Sequence, residues 1–418
     1  MRITARRGLA FVALAATATL GLTACGSGFS SGSSTSGSGT LTSSNDPLTV
    51  MIGSSGDAET KAVTAAVDSW SQSSGTKATV VAASNLSQQL SQGFAAGKPA
   101  DVFYLSTDAL AGYASNGSLL AYGDQLANKS DFYPSLVSSF TYDGKFYCAP
   151  KDFSTLQLIV NTDMWQAAGL TDSDYPKTWD DLTAVAKKLT TAGHVGLGIS
   201  GEYARIGSFM VQAGGNLMND DSTQATANST ANVQALDYVK QLLNGGELKY
   251  AKDLGAGWGG EAFGKGLAAM TIEGNWITGA MSSDYPNVKY KVVELLAGPA
   301  GQGTLQFTNC WGIAADSPNQ AAALKLVEQL TSKDSQLAFS KAFGVMPSIT
   351  SAADEWKSEN AALVPFLDAA SYAKGVPTAK GSADVVTDLN SKLESLATSD
   401  PQTILDATQT NLQALLAK

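Results

Sequence analysis

Acids and indoles are the side chains with chemistry to offer in this 418-residue chain, which carries 37 Asp and Glu and seven Trp. Its one histidine and three cysteines make no HExxH, no CxxC and no histidine pair, so no metal site is expected. Carboxylates abound, but no pair is singled out as the acid and nucleophile of a glycosidase. Gly28-Phe29-Ser30-Ser31-Gly32 spells G-x-S-x-G, yet a nucleophile elbow needs a strand before it and a helix after it, and here both flanks are linker. Gly196-Leu-Gly198-Ile-Ser-Gly201 fits G-x-G-x-x-G, with Asp220 and Asp221 about twenty residues on. Its glycines, however, lie inside the apolar run Val195 to Ile199. No G-x-x-x-x-G-K-[ST] loop is present, and no cofactor is expected. What remains suits recognition: carboxylates accept from hydroxyls, and indole planes cover apolar C–H faces.

The elements that must position these groups alternate. Leu48 to Gly53 reads as a buried strand ending in Gly53-Ser54-Ser55-Gly56-Asp57. A helix with Val63, Ala66, Val67 and Trp70 on one face follows, then a strand at Ala78 to Ala82, a helix from Leu86 and a strand through Asp101 to Leu105. This β-α-β-α-β order builds a parallel sheet covered by helices, and ligands on such sheets sit beyond the carboxyl ends of the strands. The loops Ser54–Asp57 and Ser106–Asp108 are therefore placed to bind, with Ser55 and Asp57 in the first and Asp108 in the second. Phosphate at the helix N-terminus near Gly56 is the alternative use of that loop. Further strands are expected at Leu156–Val160, Ala268–Ile272 and Tyr290–Leu296. Helix starts are expected at Thr178 with Asp181, at Ser317-Pro318 and at Asp400-Pro401. At 44% hydrophobic and 15% charged, the chain can fill a core, and its length favours two lobes. The net charge of −10 argues against a nucleic-acid partner, which needs basic surface.

Arg2, Arg6 and Arg7 precede an apolar stretch from Leu9 to Leu22, the pattern of an export signal over residues 1–24. Leu22-Thr23-Ala24-Cys25 resembles a bacterial lipobox, which implies cleavage before Cys25 and its lipidation (palmitate among the acyl groups), holding the protein on the outer face of the cytoplasmic membrane. Residues 25–45 form a Ser/Gly-rich tether, and the folded body is expected to begin near Asp46. Outside the cytoplasm, Cys148 and Cys310 are either a disulfide or two buried thiols, with the bridge favoured.

Across the body a succession of motifs falls in order: Lys98-Pro-Ala-Asp-Val-Phe-Tyr, Ala114-Ser-Asn-Gly-Ser-Leu-Leu and Tyr142-Asp-Gly-Lys-Phe-Tyr-Cys-Ala-Pro-Lys-Asp come first. Asn161-Thr-Asp-Met-Trp-Gln-Ala-Ala-Gly-Leu and Pro176-Lys-Thr-Trp-Asp-Asp-Leu follow. Phe263-Gly-Lys-Gly-Leu-Ala-Ala-Met-Thr-Ile-Glu-Gly-Asn-Trp276 and Gly298-Pro-Ala-Gly close the series. The succession resembles the solute-binding proteins of carbohydrate ABC importers, the family that includes maltose-binding protein. The resemblance implies an α/β, two-lobe periplasmic-binding-protein-like fold, with a hinge and an interlobe ligand cleft. Carried onto this chain, lobe one is 46–149 plus 312–359, lobe two is 150–308 plus 360–418, and the hinge crossings lie near 148–153 and 306–311. Both Cys148 and Cys310 then fall at crossings, which strengthens the expectation of a bridge between them.

The same resemblance gives the candidate ligand-binding set. Asp108 matches a sugar-binding carboxylate, or is a helix N-cap. Glu202 matches a second cleft acid, or is a solvated loop residue. Trp276 matches a stacking tryptophan, or belongs to the core. Trp258, in a glycine-rich setting, and Trp311, beside Asn309 at the hinge, either reach the cleft or pack. Asp152 and Lys151 line the cleft or form a solvated pair. Arg205 donates to ligand hydroxyls or pairs with Glu202. Trp70, Trp165 and Trp179 are core. Leu105 stands where the family carries an aromatic, and Ser382 to Asp388 holds no tryptophan, which points to a disaccharide or short oligosaccharide. The implied function is capture of such a sugar by a non-catalytic monomer that delivers it to ABC permease subunits in the membrane. A receptor for a non-sugar solute and a secreted glycoside hydrolase are the alternatives.

Overall fold

A computed structural model describes residues 40–417. The expected export signal, Cys25 and most of the expected tether lie outside the described residues. Among the described residues, Leu41 already packs on the core and Thr42 already bonds to it, ahead of the expected start at Asp46. The cause is helix capping. The helix Gln320–Leu330 has no side-chain cap of its own, and Thr42 supplies one: its Oγ1 accepts from Gln320 N at 3.2 Å and its carbonyl from Ala321 N at 3.0 Å.

The β-α-β-α-β opening is present. Strands Leu48–Ile52, Ala78–Ala82 and Val102–Ser106 are parallel, with Leu48 opposite Ala78 and Val50 opposite Val102. Helices Asp57–Ser74 and Leu86–Ala95 connect them. Val63, Val67 and Trp70 are the buried face of the first helix, as the spacing requires. Thr178 and Asp181 form a reciprocal capping box, and Asp400 caps the last helix from the residue before Pro401.

Two long strands carry the chain between the lobes. Ala149–Asn161 has 13 residues and Thr304–Ile313 has 10, and they pair antiparallel from Gln306 opposite Thr155 to Trp311 opposite Ala149. The expected strand Leu156–Val160 is thus only the second half of a longer one. Val102–Ser106 pairs with the lobe-one end of Thr304–Ile313. On the other side Ala149–Asn161 pairs with Ala268–Gly274, which leads on to Val195–Ile199 and Leu248–Tyr250. One continuous ladder therefore crosses the molecule. Gly196 and Gly198 sit inside a wholly buried strand. A Cβ on Gly196 would run into the Ala186 carbonyl, so this glycine lets the helix Trp179–Leu189 pack close.

Two cores flank the crossing strands. One gathers Val50, Phe103, Leu326 and Val327, and the other gathers Leu158, Leu197, Met270, Phe209 and Leu405. A third, smaller cluster with Phe153, Ile159, Phe263, Trp356 and Phe366 lies beside the crossing. Each such side chain fully withdrawn from water contributes roughly 1.5–3 kcal/mol before entropy is counted. Trp70, Trp165 and Trp179 are buried. Cys148 and Cys310 are joined by a disulfide with Cα atoms 5.5 Å apart. Both are fully buried in the first core, so the bond fastens the crossing strands at their lobe-one end.

Candidate ligand-binding cleft

The lobe-one wall is built where two adjacent parallel strands end. After Leu48–Ile52 the chain turns through Ser54 and Ser55 into the helix that starts at Asp57. After Val102–Ser106 it enters the helix Thr107–Ser115, with Asp108 in the first turn. Asp57 and Asp108 are both exposed. Ser106, not Asp108, occupies the N-cap position, which leaves the Asp108 carboxylate in the first turn with its face to water. Asn309 pairs with Ser106 on one side and Asp152 on the other, at a register shift between Asn309 and Cys310. The bulge turns Asn309 outward, and its side chain is exposed.

Behind this wall sits a buried ionic cluster. Ser55 donates from both its backbone N and its Oγ to Glu59 Oε2 at 2.7 Å. Tyr104 OH donates to Glu59 Oε1 at 3.0 Å, and Lys151 Nζ lies 3.3 Å from the same oxygen while also pairing with Asp152. Lys151 stands 4.4 Å from the Tyr104 ring centroid. Burial alone would raise the Glu59 carboxyl, but Lys151 and the hydrogen bonds from Ser55 and Tyr104 outweigh it and hold Glu59 below its usual range. Lys151 is held above its usual range by Asp152 and Glu59 against the opposing pull of burial. Ser55 is thus spent on orienting its own loop. Asp152 is a correction to the sequence reading: it is 8% exposed and serves as counter-charge to Lys151, neither a solvated pair nor an open ligand carboxylate.

The lobe-two wall centres on the helix Tyr203–Gln212 and the end of strand Ala268–Gly274. Glu202 holds the N-cap position but does not cap. Its carboxylate accepts from Arg205 Nη1 at 2.8 Å. Arg205 Nη2 donates to Glu273 Oε2 at 2.5 Å. Glu273 is wholly buried, and burial raises its carboxyl against the pull of Arg205. Trp276 donates from its Nε1 to the same Glu273 Oε2 at 3.0 Å. Its ring meets Phe307 edge-on with centroids 5.7 Å apart, and the Arg205 guanidinium lies 5.4 Å from its centroid. At 38% exposure Trp276 is one of three large hydrophobic side chains left in water among the described residues. Trp258 is half-buried and lines a hollow of about 420 Å³ with Ser200, Glu202, Arg205 and Asn390.

Trp311 is the second correction. It is 1% exposed, packs edge-on to Tyr104 at 4.6 Å, and gives its carbonyl to Tyr122 OH. Lying beyond the bulge, it faces the lobe-one core. Glu59, Glu273 and Phe307 were not singled out from sequence. The one available signal was an acid inside an apolar strand run, Ala268 to Gly274. A larger hollow, about 750 Å³, lies elsewhere, between the segments 133–139, 216–222 and 367–378. Ser135 at its edge donates to Gln306, whose side chain points to the strand face opposite Phe307, so this hollow is behind the crossing strands. Its charged residues pair with each other, Lys357 with Asp368 and Lys374 with Asp220. Among the described residues no three His, Cys, Asp or Glu side chains converge as a metal site.

These walls present exposed acids on one lobe, an exposed indole on the other and a hinge between, the equipment for enclosing a solute. The description of the bacterial extracellular solute-binding proteins matches residues 65–365. The chain belongs to that family. This solute-binding protein is 25% identical over 349 residues to a putative binding protein of Brucella abortus, covering 80% of this chain and 84% of that one. It is 25% identical over 273 residues to the diacetylchitobiose binding protein DasA of Streptomyces coelicolor, covering 63% of each. The cyclic alpha-maltosyl-1,6-maltose binding protein of Arthrobacter globiformis shares its fold, with a TM-score of 0.79 at 22% identity over 89% of this chain and 99% of that one. Family membership makes the two-lobe reading of the fold plain and places this solute-binding protein outside the cytoplasm. No helix among the described residues is long and apolar enough to cross a membrane.

Proposed function

We propose that this protein captures a carbohydrate outside the cell, a disaccharide or short oligosaccharide, and delivers it to the permease of an ABC importer without chemical change. The observation that carries this reading is Trp276: an indole left 38% exposed, yet tied by its N–H to a buried carboxylate. Such an anchored ring offers a sugar C–H face a rigid apolar plane at little entropic cost. Asp57, Asp108 and Asn309 supply acceptors for hydroxyls across the cleft. Contacts from both lobes stabilise the closed form more than the open one, and that difference drives closure. The ligands for which similar proteins are named, diacetylchitobiose and cyclic alpha-maltosyl-1,6-maltose, support a glycan of a few rings. Lipidation at Cys25 would keep the receptor, as a monomer, on the outer face of the cytoplasmic membrane beside its permease.

A thermal-shift screen over mono-, di- and trisaccharides tests the reading, because a ligand bound only by the folded state raises apparent stability by mass action. A sugar that raises the melting temperature and is recovered intact supports it. Sugar turnover would mark a hydrolase instead, and no response to any glycan would leave the carbohydrate reading without support.

A further inference from the structure

Glu273 is withdrawn from water altogether, yet two features of the lobe-two wall lead back to one of its oxygens. Oε2 receives Trp276 Nε1 at 3.0 Å and Arg205 Nη2 at 2.5 Å. Through Arg205 it also fixes Glu202, which takes the other guanidinium nitrogen at 2.8 Å. Room for the carboxylate is kept by Gly259: a Cβ there would stand 2.7 Å from both Glu273 Oε1 and Thr271 Oγ1. The strand run Ala268–Gly274 is otherwise apolar or hydroxyl-bearing and fully buried, a costly place for an acid unless it has a task.

The charges around the cleft show what that task excludes. Lys151 is paired with Glu59 and Asp152. Both terminal nitrogens of Arg205 are occupied by Glu202 and Glu273. Lys252, on the rim of the Trp258 hollow, is paired with Glu394 at 2.9 Å. The remaining Arg205 donor, Nε, has no partner but is buried, so no open fork of guanidinium donors faces the cleft to grip a phosphate or carboxylate, while Asp57 and Asp108 stand exposed on the facing wall.

We propose that Glu273 is the positioning and charge-selecting residue of the cleft. It locks the Trp276 indole in its stacking orientation and, with Glu202, neutralises the Arg205 charge, so that the site admits uncharged hydroxylated ligands and turns away phosphorylated or carboxylated ones. The inference rests on the carbohydrate reading above.

The test measures binding of the best neutral sugar from the thermal-shift screen, of glucose 1-phosphate and of glucuronate, by calorimetry, to wild type and Glu273→Gln. Wild type is expected to bind the neutral sugar and neither anion. Glu273→Gln is expected to lose at least tenfold in neutral-sugar affinity and to gain measurable binding of an anion, because Arg205 loses one of its two counter-charges. A variant that keeps sugar affinity within twofold and still ignores both anions overturns the proposal, as does wild type that binds the anions. Nitrogen-15 indole spectra of wild type give a second readout that does not depend on the variant folding or on a sugar being found. The Trp276 Nε1–H resonance, assigned with Trp276→Phe, should be shifted downfield and protected from solvent exchange. An unshifted, freely exchanging resonance overturns the positioning role. If no sugar binds wild type while the indole resonance is shifted and protected, the carbohydrate reading fails and the positioning role of Glu273 stands.

Discussion

The seven tryptophans divide by what surrounds them, and two of them show why sequence alone cannot always sort them. Trp276 follows the turn at Gly274-Asn275 and Trp311 lies within the strand Thr304–Ile313 just after Asn309, and both were candidates for the cleft. One is 38% exposed and the other 1%. What separates them is the bulge at Asn309/Cys310, a product of pairing between strands distant in sequence. Trp276→Ala should weaken sugar binding by about 2 kcal/mol, roughly thirtyfold, with the apo melting temperature near wild type. Trp311→Ala should do the reverse, costing roughly 3–5 kcal/mol of apo stability in a denaturant titration. Helical stripes were easier to read: Trp70 belongs to a visible 3.6-residue pattern and is buried as expected. Glu59 was invisible because its partners Tyr104 and Lys151 come from other elements. Its carboxyl is depressed on folding from the ordinary 4.5, so it adds stability above that pH, and this is lost as pH falls through the folded value. Melting curves of wild type should therefore drop on acidification below about pH 4.5, and Glu59→Gln should start lower at pH 7 and show a shallower drop.

At the scale of elements, the opening βαβαβ and the capped helices were legible because their signals are local: alternation, periodicity, Thr178 with Asp181, Asp400 with Pro401. The helix expected to start at Ser317-Pro318 begins instead at Gln320, with Pro318 outside it, and its cap comes from elsewhere. Thr42, far away in sequence, takes the position that a local reading gave to Ser317. Of the crossing strands only the half Leu156–Val160 was legible, since residues 150–155 are held in the ladder by Gln306 to Trp311 rather than by any strand pattern of their own, and Thr304–Ile313 was not expected as a strand. The disulfide closes a loop of 162 residues across these strands. Replacing both cysteines with serine should remove about 2–4 kcal/mol of stability by enlarging the unfolded ensemble, measured by urea unfolding. Sugar affinity should change little, since both sulfurs lie in the lobe-one core and not on a cleft wall.

For the whole molecule, two hydrophobic cores joined by a continuous ladder lead to the expectation that the lobes close by twisting strands rather than by swinging on a loose linker. Addition of the bound sugar should reduce the radius of gyration in small-angle scattering, and Trp276→Ala at the same sugar concentration should not show the reduction. An unchanged radius for wild type saturated with sugar would place the ligand outside the cleft. The two-lobe plan was legible from length and motif order. The 750 Å³ hollow behind the crossing strands was not, because it is bounded by segments from three distant stretches of the chain. The Cys148–Cys310 bond also governs how the protein should be made. Polypeptide produced in a reducing cytosol would carry two thiols sealed inside a finished core, out of reach of added oxidant. The folded body from secreting and non-secreting hosts would then differ in heat tolerance although the bridge itself changes its mass by only two hydrogens.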